Sequence, residues 1–169
     1  MLYFLDFEAS SLRKAGYPIE AGWVDETGAA EEHLIRPAPT WTDWDEEAAA
    51  IHRISRETLL REAEPHDAVA SRMMSLLSGQ ELFATAPSWD GKWLSMLLRA
   101  AGIPRHALRL RDSDIALADA ARARLGPAAD QAAITALLAK VRSDVEHGPP
   151  AHRALADART EWEVWRRLR

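Results

Sequence analysis

The chain opens on an unbroken apolar run, Leu2-Tyr3-Phe4-Leu5, which is closed by Asp6-Phe7-Glu8. So short a continuous run predicts a buried central strand over residues 2–8. Residues 19–24 and 32–36 predict two more strands, joined by a hairpin turn around Asp25-Glu26-Thr27-Gly28. A loop with Pro37, Pro39, Trp41 and Trp44 follows, and Ser55 suits the N-cap of a short helix. Val69, Met73, Leu76 and Leu77 recur at helical spacing within 65–77, a helix that ends near Gly79. Residues 81–85 predict a fourth strand. Asp90 then opens a helix whose apolar face holds Trp93, Leu94, Leu97 and Leu98. A fifth short strand is expected around 108–110, with helices over 115–125, 130–145 and from 154 onward. Gly148-Pro149-Pro150 separates the last two helices.

The links between the first three strands are too short for helical crossovers, whereas the later strands alternate with helices. The expected architecture is therefore α/β, a mixed five-stranded sheet flanked by helices. With 169 residues and no internal repeat or linker, residues 1–169 read as a single domain. No run of apolar residues approaches 18, and no export signal precedes the first strand. A cytoplasmic protein without membrane contact is the expectation. Zero cysteines remove disulfides, thiolate metal sites and cysteine nucleophiles. A net charge of −5 argues against a broad basic surface that coats duplex nucleic acid. It does not exclude a nuclease, because catalytic carboxylates carry negative charge that bound metals offset.

The acidic residues supply the chemistry. On a strand, positions i and i+2 share a face, so Asp6 and Glu8 project side by side. Two like charges at the end of a buried strand are costly unless a cation neutralises them, and hard divalent ions prefer oxygen ligands. Asp90 has an ordinary structural explanation as an N-cap. His152 and Asp157, five residues apart, would diverge by roughly 140° on a regular helix. Their joint action requires His152 to stand in the turn after Pro149-Pro150, with Asp157 in the first turns of the next helix. The competing explanation is a solvated His and a surface Asp.

Taken together, these residues resemble the DEDDh 3′-to-5′ exonucleases, the DnaQ-like branch of the RNase H-like fold. Asp6-Phe7-Glu8 matches the family's Asp-x-Glu after an apolar strand. Trp89-Asp90 matches the second motif, and His152-Arg-Ala-Leu-Ala-Asp157 matches His-x-x-x-x-Asp. The three stand in the family's order over nearly the whole chain. Two departures concern substrate contacts: Ala86 replaces a usual Asn, and His52-Arg53-Ile54 stands where the family often has His-Gly-Ile.

The resemblance implies a metal-dependent 3′-to-5′ exonuclease acting on single-stranded DNA or RNA ends or short oligonucleotides. Two ions, Mg²⁺ or Mn²⁺, would be held by Asp6, Glu8, Asp90 and Asp157, with His152 as general base. It also implies that backbone groups around Ala9 and Ser10 receive the terminal 3′-hydroxyl. Leu12 would wedge beside the terminal base and His52 would contact a phosphate, although a core Leu and a locally satisfied His explain them equally well. The competing class is a noncatalytic nucleic-acid-binding or protein-interaction domain that kept the fold. Nothing in the residues chooses DNA over RNA.

Seven of the twelve aromatic residues are Trp, which raises base stacking as a role for Trp41 and Trp44 against simple packing of their loop. Trp162 and Trp165 are read as core or as the surface of a homodimer. Arg53, Arg56 and Arg61 are candidates for phosphate contacts, in competition with ion pairs to Glu57 and Glu62.

Overall fold

The computed structural model describes residues 1–146, 148–149 and 151–169. Its first three strands are β1 (Leu2–Ala9), β2 (Pro18–Asp25) and β3 (Ala30–Arg36). Two short helices, α1 (Glu46–His52) and α2 (Arg56–Glu62), lead to β4 (Glu64–Pro65) and helix α3 (His66–Leu77). Strand β5 (Glu81–Ala84), helix α4 (Pro87–Ala100) and strand β6 (Leu110–Asp112) come next. Helices α5 (Ser113–Leu125), α6 (Gln131–Val145) and α7 (Ala154–Leu168) complete the order.

The sheet runs β4-β3-β2-β1-β5-β6. The β1–β2 and β2–β3 pairs are antiparallel, whereas β5 joins β1, and β6 joins β5, in parallel. The mixed α/β architecture expected from the sequence is present, with six strands in place of five. The additional strand is the two-residue β4 on the far edge of β3, too short to leave a periodic signal. Helix α1 was also absent from the sequence reading. Its interior is Ala48-Ala49-Ala50, which offers no apolar stripe, and Asp45 defines it by capping the amide of Glu47 at 3.0 Å.

The turn at Asp25–Gly28 forms as expected. Asp25 Oδ1 accepts from the amides of Thr27 (2.8 Å) and Ala29 (3.1 Å), and Gly28 sits at φ 95°. Ser55 caps α2 through the amide of Thr58 at 3.1 Å. Asp90 does not cap α4. That helix begins three residues earlier, at Pro87, because the fixed φ of proline suits the first helical position. Asp90 therefore lies inside the first turn.

Side-chain alternation along β1 divides the core. Tyr3, Leu5 and Phe7 face α3 and α4, packing with Met73, Leu77, Leu94 and Leu97. Phe4 faces the opposite layer, among residues of α5, α6 and α7 such as Leu117, Ala121, Ile134, Val164 and Trp165. Trp165 is buried, and Trp162 packs against the same cluster and over Gly28. Both read as core. No helix among the described residues is long and apolar enough to cross a membrane.

Helix α7 approaches β2 unusually closely. A Cβ on Gly22 would lie 2.3 Å from the Leu155 amide nitrogen and 2.6 Å from the Ala154 carbonyl carbon. Both are backbone atoms, which cannot step aside, so only glycine permits this contact. Gly22→Ala is expected to destabilise the fold by about 2–3 kcal/mol, an overpacking cost without a flexible neighbour to absorb it. Urea denaturation measures this, and an unchanged midpoint would reject the close approach.

Candidate active site

The face of β1 that begins with Leu2 and Phe4 continues as Asp6 and Glu8. Across the β1–β2 ladder Asp6 is paired with Gly22 and Glu8 with Glu20, so Glu20 joins the same face. The apolar half of this face is covered by the middle and C-terminal part of α7. Its acidic half meets the N-terminal end of α7, where Asp157 occupies the first turn.

His152 stands outside the helix, at φ 53°, and Arg153, with extended backbone, is the N-cap residue of α7. This break in helical geometry brings His152 and Asp157 together despite their five-residue spacing. One ligand atom from each of Glu8, His152 and Asp157 lies within 4.8 Å of the others. Pro150, which the sequence reading used to explain the irregular start, lies outside the described residues. The Asp157 carboxylate also accepts from the Ala151 amide at 3.3 Å.

Asp90 reaches the group from α4. It is buried, and its Oδ2 has no hydrogen-bond partner among the described residues. Burial raises its pKa to about 7, opposed by main-chain hydrogen bonding at Ala86, Phe7 and Asp90 itself. Burial also raises Asp6 well above the ordinary carboxylate range, reinforced by repulsion from Asp90, Glu8, Asp157 and Glu20. Glu8 rises to about 7 through burial and the charges of Asp157, Glu20 and Asp90, with Arg153 acting in the opposite sense. Asp6, Glu8, Asp90 and Asp157 thus bear on one another's charge without a salt-bridge partner among the described residues, while Glu8 and Asp157, with His152, come within ligand distance of one another. Clustered carboxylate oxygens, one of them buried and orphaned, suit hard divalent cations.

The sequence reading missed Glu20 and Arg153. Glu20 is fully buried, and both of its oxygens accept from Arg153 Nε at 3.0 Å. Its Oε2 also accepts from the Ala154 amide at 2.9 Å, at the first turn of α7. The pair ties the start of α7 to β2 and so positions His152 and Asp157 over Glu8. A signal was present: Glu20 interrupts the apolar run Ile19-Glu20-Ala21-Gly22-Trp23-Val24 on the face of the motif carboxylates. Only the strand register identifies that face.

The rim is built from two loops. Ser10 is buried, with its amide donating to the Tyr17 carbonyl (2.9 Å) and its Oγ accepting from the Tyr17 amide (3.1 Å). Its carbonyl accepts from the Asp45 amide at 3.2 Å, so Ser10 fastens the two loops together. Ala9, before it, closes β1 beside an irregularity in the ladder. Leu12 is 70% exposed and therefore makes no core contact. Arg13 pairs with Asp45 at 3.1 Å, and Lys92 of α4 donates to the Arg13 carbonyl at 3.0 Å.

His52 is the last residue of α1. It is buried. Its Nδ1 accepts from the Ile54 amide at 3.1 Å, while Nε2 has no partner among the described residues. Burial lowers its pKa, with Arg153 and His152 acting in the same direction and Glu20 opposing them. Trp41 stacks on Tyr17 at 5.5 Å and packs against His66, which accounts for it as a loop anchor. Trp44 meets the edge of His52 at 6.1 Å. Among the described residues, the non-glycine positions with left-handed backbone are Arg53 (φ 60°) and His152 (φ 53°). Each costs about 1–3 kcal/mol, and such strain gathers at functional sites.

The chain shares its fold with solved structures of exonuclease I. It matches exonuclease I of E. coli in complex with a dT13 oligonucleotide at a TM-score of 0.69 and 17% identity. That match covers 99% of this chain and 40% of the other. The zinc-ion-bound form of the E. coli ExoI–ssDNA complex matches at TM-score 0.67 and 17% identity, over 95% and 38% of the two chains. A moderately thermophilic exonuclease I from Methylocaldum szegediense gives 0.67 and 17%, over 94% and 38%. The chain thus spans about two-fifths of the length of these proteins. No family model and no curated protein matches it.

Two consequences can be measured. Glu8 and Asp90 hold their protons up to about 7 in the folded chain, against 4.5 and 3.8 ordinarily. The folded state therefore binds more protons than the unfolded one in that window, and metal-free stability falls as pH rises through it. A divalent cation held there would offset the repulsion among the carboxylates. Mn²⁺ at a hundredfold excess over its Kd is expected to raise Tm by about 5–10 °C at pH 8 and far less at pH 5. Equal shifts at both pH values would contradict the assignment. Separately, Arg153→Met leaves Glu20 buried without its counter-charge and should cost about 3 kcal/mol, most of it recovered in the E20Q/R153M double variant. Additive losses in urea titrations would show that the two residues are not coupled.

Proposed function

We propose that the chain is a metal-dependent 3′-to-5′ exonuclease that hydrolyses phosphodiester bonds at the 3′ end of single-stranded nucleic acid. The observation that carries this reading is the grouping of Glu8, His152 and Asp157 within 4.8 Å, with Asp6 on the same strand face as Glu8 and Asp90 approaching from α4. The fold it shares with the exonuclease I structures supports the same reading. Asp6, Glu8 and Asp157 would hold one Mg²⁺ or Mn²⁺ ion, and Asp90 with Asp6 a second. Bound there, such ions supply charge to the phosphate and to the leaving oxygen.

The chain's own groups account for the other requirements. His152 stands on the loop before α7 and takes the proton of the attacking water, a role suited to an imidazole near neutral pH. Its left-handed backbone directs the ring toward Glu8 and Asp157 instead of along the helix. The Glu20–Arg153 pair holds that loop in place, so the base is positioned before substrate arrives. Main-chain groups at Ala9 and Ser10 mark the end of the cleft nearest β1, where a terminal 3′-hydroxyl would dock. Exposed Leu12 supplies an apolar surface for the terminal base.

Single-stranded DNA and RNA, each labelled at the 5′ or the 3′ end, test the reading in the presence of Mg²⁺, Mn²⁺ or chelator. The expected result is a metal-dependent ladder that shortens from the 3′ end. Binding without shortening would instead favour a noncatalytic domain. Asp6→Ala and Asp157→Ala are expected to lower the rate by about 10³-fold or more. His152→Asn should lower it by about 10²–10⁴-fold while keeping the metal-dependent rise in Tm. Rates near wild type in the folded variants would remove these residues from the mechanism.

A further inference from the structure

Beyond Trp44 and His52, the latter within reach of the charges of Glu20, Arg153 and His152, an open groove of about 660 Å³ lies between α1 and α2. It is lined by Trp44, Glu46, Ala49, Arg53, Ile54 and Arg56, among others. Arg61, on the same helix as Arg56, is paired with Glu57 (3.2 Å) and Glu62 (2.7 Å). Arg53 and Arg56 have neither an ion pair nor a side-chain hydrogen bond among the described residues. Arg56 Nε is buried and unpartnered. Arg53 occupies a left-handed conformation that glycine would adopt without strain. Glu46 is the one carboxylate in the lining, so the groove is cationic on a chain whose net charge is −5.

We infer that this groove binds the strand adjacent to the metal site, with Arg53 and Arg56 on backbone phosphates and Trp44 against a base. Two unpaired guanidiniums match the charge and the planar donor geometry that phosphate requires. An indole in the same wall provides a sequence-tolerant stacking surface. This inference rests on the nuclease reading for the identity of the strand and extends it to the route the strand follows.

Fluorescence anisotropy of 5′-labelled dT8 tests it, in excess chelator and between 50 and 200 mM KCl. Arg53→Gly and Arg56→Gln are each expected to weaken binding about fivefold to tenfold. Each should also reduce the slope of log K against log salt by about 0.7, one phosphate contact on a single strand. Trp44→Ala should weaken binding about tenfold with the slope unchanged. Arg61→Gln should change neither quantity. Arg53→Gly relieves backbone strain, so its Tm should be maintained or raised, which separates lost affinity from misfolding. Wild-type affinity and slope in an R53G/R56Q double variant would overturn the inference. If wild type then still shortened 3′ ends with metal, the nuclease reading would stand without it. Arginine-dependent binding with no metal-dependent shortening would keep the groove assignment and remove the nuclease reading.

Discussion

The contact between the start of α7 and strand β2 governs the rest of this molecule. Gly22 lets the helix backbone settle against the strand, and Glu20 receives Arg153 and the Ala154 amide at the same place. A buried glutamate is a poor source of net stability, since desolvation consumes most of its attraction to the arginine. Its value here is geometric. The pair sets where α7 begins, and with it the positions of His152, just before the helix, and Asp157, in its first turn. Without that register the third sequence motif would be a loop histidine and a helix aspartate with no shared target.

The same contact concentrates like charge. Glu20 is neutralised by Arg153, but Asp6, Glu8, Asp90 and Asp157 raise the local negative charge with no salt-bridge partner among the described residues. The folded protein answers partly by holding protons, as the raised values at Glu8 and Asp90 indicate. The arrangement is thus least comfortable at the neutral-to-basic pH where hard cations bind carboxylates best. Folded stability and the binding of a divalent cation would depend on one set of oxygens, and the apolar layers on both faces of the sheet bear the cost of keeping them close.

Around this centre the arginines divide by environment. Arg153 is used structurally, Arg61 is occupied by its neighbours, and Arg53 and Arg56 face a groove beside Trp44. The two tryptophans of the loop divide as well. Trp41 is stacked on Tyr17 as an anchor, whereas Trp44 lines the groove. Residues of one type, close in the chain, therefore serve different purposes according to what packs against them.

Periodicity was enough to place most elements and the mixed sheet, and the motifs named Glu8, His152 and Asp157, which the fold brings within 4.8 Å of one another. Those features are local: an apolar run, a helical stripe or an i, i+2 pair is written into consecutive residues. What they left out depended on distant partners. The two-residue β4 exists only because β3 offers an edge, and α1 is defined by the Asp45 cap over an alanine-rich interior. The helix of Asp90 starts at Pro87, so that aspartate is a buried group aimed at β1 and not a cap. Glu20 and Arg153 are 133 residues apart, and no local pattern joins them. The amino-acid sequence by itself determined which residues could do chemistry. Tertiary structure decided which of them meet, because strand register and helix docking set facing and distance across the chain.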